Sequence, residues 1–541
     1  MSIDRPGDEH ATEERVMKRE PEQPAPWSRR DMFRIGGMAT AVGMIGGVDV
    51  AGAAPGAAAA DTAEIYTRIG VRPFINLTGT LTVNGGALML PEVRDAEHQA
   101  AAHAVNLDEL MERVGARIAE LMGCEGAIVT AGAAAALTHA TAACIAGSDP
   151  ELIQQLPDLT GLKDEVIIPR ESRNVYDQAF RTLGIRMVEV NTPAEFHAAL
   201  GPRTAMVAVL GTGEARGPLR LEEMASAARQ AGVPVIVDAA AELPQRPNPY
   251  LSRGADLVAY SGGKVIRGPQ CAGLLLGRKD LVWAAFMNSA PHHSFGRMMK
   301  VGKEEIMGML TAVEVLAARG IEEDHRRWRG WLQEISDALT KVSGVRTDIQ
   351  DPAGASPFPT MMVEWDAERV GITAGEVYKQ LIDGEPRIKS HASGDGYSFR
   401  VRPTAMRPGD AGLAARRIAE VLGSAPRGRS ATPPASPVTD ITGRWEVDVK
   451  YTRGEARHRL FLSMSGNQVL GTHLGRLLDG PLTGTVHGDR VRMRSSLPSQ
   501  GTSVDFTFEG QVAQGSMQGE VDLGEYGTAR WIARRLGAGE S

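Results

Sequence analysis

Only three cysteines, Cys124, Cys144 and Cys271, occur in 541 residues. They are too few and too scattered for a disulfide framework or a structural zinc site. Aromatic residues are scarce, at 5%. Positive charge is not in excess either: 59 Lys and Arg stand against 66 Asp and Glu, a formal net charge of −7. A nucleic-acid binder would carry a basic footprint, so that class is disfavoured. No apolar run reaches the ~20 residues that span a bilayer; the nearest, 35–48, has 14 and is rich in Gly and Ala. What is present is 43% hydrophobic residues and 62 glycines, the composition of an α/β enzyme with ample core. At roughly 150 residues per domain the length suits three or four folding units.

Residues 1–60 read as an address. Residues 1–27 are charged and without apolar periodicity, which predicts disorder. Ser28-Arg29-Arg30-Asp31-Met32-Phe33-Arg34 then precedes the apolar run, and Ala58-Ala59-Ala60 offers a small-residue cleavage site. The segment resembles a twin-arginine export signal, with Met32-Phe33 as the apolar pair after the arginines. That implies the twin-arginine export machinery as a partner and a periplasmic or extracellular location. Export of folded protein also suits a chain that acquires a cofactor in the cytoplasm.

The mature chain divides by period. Residues 61–325 alternate short Val- and Ile-rich runs (127–129, 165–168, 187–190, 205–210, 233–237, 257–260, 272–276) with helical stretches (107–122, 134–145, 174–183, 221–231). This predicts a parallel-rich sheet covered on both faces. A long helix over 303–319 leads to a smaller subdomain, 326–422. Residues 423–439 are a Pro- and Ser-rich linker. In 440–541 the period becomes two, with seven strands predicted at 445–451, 459–464, 468–473, 490–495, 503–509, 516–521 and 528–532. Gly-containing turns separate them, which predicts an antiparallel meander, a small barrel or a sandwich.

Three features carry chemistry. Thr130-Ala131-Gly132-Ala133-Ala134 runs from a strand end through a small-residue turn into a helix, whose free N–H groups and dipole suit an anion. Asp238 ends the apolar strand 233–237, where open α/β sheets bind ligands. Ser261-Gly262-Gly263-Lys264 follows another strand; a lysine pinned by glycines after a buried strand is placed to be a desolvated, Schiff-base-forming amine. Anion cradle, carboxylate and lysine together describe a pyridoxal-phosphate site with no metal.

At this point the chain resembles the selenocysteine-synthase-like group of fold-type-I pyridoxal-phosphate enzymes, most of all its D-glucosaminate-6-phosphate ammonia-lyase branch. The motifs are Ile75-Asn76-Leu77-Thr78-Gly79-Thr80, Gly85-Gly86, Met89-Leu90-Pro91-Glu92-Val93, Thr130–Ala134, Ser261–Gln270 and Gly296-Arg297-Met298-Met299-Lys300-Val301-Gly302-Lys303-Glu304-Glu305. The resemblance implies an aspartate-aminotransferase-like fold with a small C-terminal subdomain and a homodimer or higher even oligomer. It implies that Lys264 holds the cofactor and works as base or acid at Cα. Asp238 would keep the ring nitrogen protonated, and Ala131, Gly132, Ala133 and Ser261 would bind the phosphate. Arg267, Arg297, Lys300, Lys303 and Arg402 are candidates for an anionic substrate or a partner-subunit contact. An exported lyase follows, removing a Cα proton, a β-substituent and ammonia from an amino acid or amino sugar acid.

One motif departs from the pattern: Ser172, in Arg170–Asp177, stands where the branch calls for the His of a Gly-His-Arg segment. Tyr176 or His139 are the candidates to replace that ring, and His292-His293 read as loop residues. Other pyridoxal-phosphate reactions, such as racemisation or transamination, stay open, as does a non-catalytic exported binding protein using the β domain. Desulfuration would need a mobile nucleophilic Cys, and Cys271 reads as strand. A tRNA-dependent selenocysteine synthase is disfavoured by the acidic charge and the export signal.

Overall fold

The computed structural model describes residues 63–353, 356–426 and 435–537. Arg29-Arg30, the apolar run 35–48, Ala58-Ala59-Ala60 and the middle of the expected linker lie outside them. From Tyr66 onward the chain forms one unit with three large apolar cores.

Strand β1 (Ile75–Asn76) comes first and joins the second core. The first core is a seven-stranded sheet of β2 (Gly126–Thr130), β3 (Glu165–Pro169), β4 (Arg186–Val190), β5 (Thr204–Leu210), β6 (Val235–Asp238), β7 (Leu257–Ser261) and β8 (Gly273–Gly277), in the order β2-β8-β7-β6-β5-β3-β4. Pairing is parallel from β7 to β4, and β8 runs against both neighbours. β2, β3, β6 and β8 are buried along their whole length, as continuous apolar runs between helical layers must be. Helix Gly132–Ala146 is buried almost all round and has no polar stripe. Its run of alanines lets it sit between the sheet and outer helices.

The expected helix over 174–183 is a correction. Residues Val175–Asp177 are 3-10 and only Gln178–Arg181 is α-helical. Asn174 accepts from Tyr176 N, and Asp177 accepts from Asn174 N, so local side-chain bonds replace the helical ladder.

The second core lies under β9 (Val345–Gln350), β10 (Thr360–Trp365) and β12 (Ser398–Val401), with helices Glu322–Leu339, Ala374–Asp383 and Asp410–Gly423. Strand β11 (Ile388–Lys389) pairs in parallel with β1. Ile75 and Leu77 are thereby buried in this core, which ties the Asn76–Thr80 motif to a region more than three hundred residues away in sequence.

The third core fills a closed antiparallel barrel of β13 (Gly443–Lys450), β14 (Glu455–Ser465), β15 (Gln468–Leu474), β16 (Asp479–His487), β17 (Arg490–Ser499), β18 (Thr502–Ala513), β19 (Ser516–Asp522) and β20 (Thr528–Arg535). Eight strands replace the seven expected. The additional strand is β16, whose alternation is broken by Gly480, Pro481 and Gly484. Gly484 is needed there, since a Cβ would lie 2.8 Å from Met493 Cα on β17. Closure leaves no exposed strand edge. Among Trp445, Trp531, Phe506 and Phe508 lies one buried polar chain, in which His458 Nδ1 meets His473 Nε2 at 2.8 Å and His473 Nδ1 meets Ser495 Oγ at 2.6 Å.

Candidate active site

Strand register gathers the predicted residues at one end of the first sheet. Thr130 pairs with Gly273, and Gly273 with Ser261; Asp238 pairs with Ala259 on one side and Leu210 on the other. The turn at Ala131–Gly132, Asp238, Ser261 and the Lys264 turn therefore lie together at the C-terminal ends of parallel strands.

Gly132 has φ +79° and opens its helix with open space where a Cβ would stand. The helix has no side-chain cap at Ala131, so its first N–H groups and positive dipole end are available to an anion. Gly273 lets the helix approach: a Cβ there would lie 2.6 Å from Ala133 N.

The Ser-Gly-Gly-Lys turn is forced by what folds over it. A Cβ on Gly262 would lie 2.8 Å from both Met309 Sδ and Pro269 O, and one on Gly263 would lie 2.8 Å from Gln270 Cα. The Gln270 side chain also occupies the space over Gly86, and Ala87 N donates to Gly263 O. That contact explains why the Gly85-Gly86 and Ser261–Gln270 motifs belong together. Lys264 Nζ donates to Thr80 O at 3.0 Å. Burial pushes its ammonium pKa down, which enlarges the neutral fraction able to act as nucleophile or base.

Asp238 is buried and takes a hydrogen bond from Ala240 N at 3.0 Å. Burial pushes its carboxyl up to about 6, as expected of a carboxylate facing no cation. A protonated pyridine nitrogen is the partner that would relieve it.

Arg402 reaches the same place from the small subdomain. Arg402 N donates to Leu77 O, and the side chain crosses Gly79, whose Cβ would lie 3.2 Å from Arg402 Cβ. Asn76 shapes this turn by accepting from Thr78 N and Oγ1 and donating to Gly79 O. Arg402 Nη1 lies 2.9 Å from His391 Nε2, and that nitrogen lies 3.1 Å from Thr78 O. Burial lowers both pKa values. No carboxylate pairs with Arg402 among the described residues, so a half-buried cation beside the lysine's partner turn lacks its anion.

Other candidates are placed elsewhere. Arg267, at φ 59°, donates to Leu88 O at 3.1 Å and pairs with the buried Asp324 at 3.4 Å, so its charge serves the turn after Lys264. Arg297 and Lys300 are exposed. Lys303 pairs with Glu304 and borders a groove between helices Pro91–Ala101 and Lys303–Arg319. Ser172 is buried, its Oγ accepting from Leu210 N at 3.0 Å. Tyr176 is exposed. His139 packs against Gly296 with neither ring nitrogen well hydrogen-bonded, and burial pushes it down to about 4. His292 bonds Phe286 O and Ser289 O and pairs with Asp108. Cys271 lies in the turn before β8 rather than in a strand. Burial and Glu305 raise its thiol pKa, the opposite of a reactive thiolate.

The residues present fit pyridoxal phosphate: an uncapped helix N-terminus for the phosphate, a buried carboxylate with no cation beside it among the described residues for the ring nitrogen, and a desolvated lysine. Thr80, Asn76, His391 and Gln270 were not singled out from sequence. Thr80, Asn76 and Gln270 sat inside recognised motifs, whereas His391 had no local signal.

Comparison with known proteins agrees with this geometry. The Aminotransferase class-V model matches residues 180–365. The chain is 30% identical over 382 residues to D-glucosaminate-6-phosphate ammonia lyase of Salmonella typhimurium, covering 66% of this chain and 98% of the relative. It is 31% identical to the 5'-C-glycyluridine monooxygenase-decarboxylase of a Streptomyces species, covering 67% and 94%. An L-seryl-tRNA(Sec) selenium transferase of Moorella thermoacetica is 26% identical, covering 69% and 87%. A solved structure of D-glucosaminate-6-phosphate ammonia-lyase superposes with a TM-score of 0.59 at 29% identity, over 67% of this chain and 98% of that one. A third of this chain has no counterpart in the ammonia lyase. The chain belongs to the selenocysteine-synthase-like fold-type-I enzymes, pyridoxal-phosphate enzymes of ammonia-lyase type.

Proposed function

We propose that this chain is an exported lyase that removes the Cα proton of an amino acid or amino sugar acid, expels its β-substituent, and releases ammonia and a 2-oxo acid. The observation that carries the reading is the convergence of Lys264, Asp238 and the uncapped helix at Gly132 with Arg402, a guanidinium without an acid. When bound, pyridoxal phosphate supplies the conjugated cationic ring that takes up the electron pair left at Cα. The chain does the rest. Gly132, Ala133 and Ser261 would hold the phosphate, and Asp238 would keep the proton on the ring nitrogen. Arg402, oriented by His391, takes the substrate carboxylate. The Lys264 amine, freed from Thr80 O, accepts the Cα proton; the β-substituent leaves with its bonding pair and takes up a proton that Lys264 returns, and solvent water hydrolyses the released enamine, through its imine tautomer, to ammonia and the 2-oxo acid.

The names of two relatives matched over nearly their whole length, at 30% and 31% identity, specify substrates that join an amino acid function to a sugar skeleton. That supports an amino sugar acid here. The Arg29-Arg30 segment supports export through the twin-arginine route. Large exposed apolar side chains on the segments around Thr80 and Arg297, namely Leu81, Val83, Leu88 and Met298, support a homodimer closing over this region.

The test is to incubate purified protein with β-hydroxy amino acids and amino sugar acids. Ammonia and 2-oxo acid should appear in equal amounts, with Cα deuterium lost to solvent, and Lys264→Ala should abolish both. Cα exchange without ammonia would contradict the lyase reading. A second reading rests on the 31% identity to a monooxygenase-decarboxylase: oxygen consumption with release of carbon dioxide, and no turnover under anaerobic conditions, would favour it.

A further inference from the structure

Strands β17 and β18 are joined by Gln500 and Gly501, both at positive φ, 44° and +79°, the conformation of a tight two-residue hairpin turn. This turn of the barrel lands on the α/β part of the chain. Gln500 Oε1 accepts from Arg173 Nη2 at 3.1 Å. A Cβ on Gly501 would lie 2.8 Å from Asn174 N and from Asp177 Oδ2, and 3.0 Å from Asn174 O. Only glycine lets the turn seat so closely.

The loop it meets is the one beside the cofactor carboxylate. Arg173 clamps the buried Asp177 at 2.5 Å and Glu189 at 3.2 Å, and Asp177 closes the Asn174 capping box. One residue earlier, Ser172 Oγ accepts from Leu210 N, and Leu210 is the strand partner of Asp238. Asp177 is near enough that its charge adds to what lifts Asp238. The loop consists of short 3-10 turns with no strand ladder of its own, so docking partners decide where it rests. The barrel lies in that part of the chain for which the family motifs offer no parallel.

We propose that the barrel is a working part of the cofactor site: its Gln500-Gly501 turn fixes the 172–177 loop beside Asp238, making Gly501, Gln500 and Arg173 positioning residues for bound pyridoxal phosphate. This rests on the pyridoxal-phosphate reading of the site. The barrel is thus a brace built into the enzyme, and its loosening is felt at the ring through the 172–177 loop.

Three variants of the full chain test this. Gly501→Val drives a side chain into Asn174 and Asp177. Gln500→Ala removes only the acceptor for Arg173. Gly515→Val is the control, because Gly515 sits at φ +78° in the next hairpin with no atom within 4 Å of its Cβ position, so it strains the barrel equally and touches nothing. Each is stripped of cofactor and titrated with pyridoxal phosphate, followed by the visible circular dichroism of the bound cofactor and by hydrogen exchange over 170–177. Gly501→Val should weaken binding about tenfold or more, alter the visible dichroism and speed exchange in the loop. Gln500→Ala should act in the same direction by less, and Gly515→Val should match the wild type. If Gly501→Val fails to fold, Gln500→Ala decides alone. Affinity and dichroism unchanged from the control in the folded variants would overturn the proposal. Failure of the wild type itself to bind pyridoxal phosphate would instead overturn the reading of the site.

Discussion

At the scale of single residues the site is a set of groups, each lacking one partner. Arg402 lacks an acid, and Arg402→Ala should raise KM for a carboxylate substrate by about 10- to 100-fold, the worth of a charge-assisted hydrogen bond. The visible cofactor band should stay in place; its loss together with KM would move Arg402 from the substrate to the cofactor. Asp238 lacks a cation. Burial lifts its carboxyl from the ordinary 3.8 to about 6 in the fold, so the folded cofactor-free protein holds the extra proton between those values. Stability is then greatest below about 4 and falls as pH rises through about 6. Thermal melts of cofactor-free protein should show that fall, and Asp238→Asn should flatten it. An identical slope in both would contradict the burial argument. Lys264 and Asp238 were legible in sequence because each directly follows or ends a short apolar strand. His391 was not, because it becomes relevant only when β11 pairs with β1 and brings position 391 onto Thr78. Arg267, a candidate for an anionic substrate, instead engages Asp324, which is remote in sequence.

At the scale of elements, close approach rather than propensity shapes the site. Gly273→Ala would push the Gly132–Ala146 helix from β8, at about 1–3 kcal/mol of stability for overpacking. Because that helix carries the anion-binding end, pyridoxal-phosphate affinity should fall with Tm; a lower Tm with unchanged affinity would separate the helix from the phosphate. The barrel has its own signature. Burial pushes His473 down to about 3, so the unfolded chain binds a proton that the folded one refuses, and stability is lost as pH falls from about 6.5 toward 3. His473→Met should lower Tm at neutral pH, since Ser495 and His458 lose their partner, yet reduce its decline in acid. A decline as steep as in the wild type would contradict this. The sheet strands were legible because burial on both faces makes them continuous apolar runs. β16 was hidden by the glycines that close packing demands, and the 3-10 turns at 175–177 by side chains that mimic helical bonding.

At the scale of the whole molecule, an α/β enzyme of the selenocysteine-synthase-like group carries an eight-stranded barrel whose Gln500-Gly501 turn is seated on the 172–177 loop. The division into α/β and β portions was visible in the change of period from helical to two. The contact between them was invisible, since nothing in Gln500-Gly501 announces the Asn174 backbone as its partner. Central to the proposed function is a cofactor held by Lys264. The most direct test is the absorption spectrum of purified protein, recorded before and after borohydride, with peptide mapping of the reduced sample. The expected result is a visible band that borohydride abolishes, leaving a pyridoxyl group on the Lys264 peptide. A protein with no band after added pyridoxal phosphate, or a label on another lysine, would contradict the assignment.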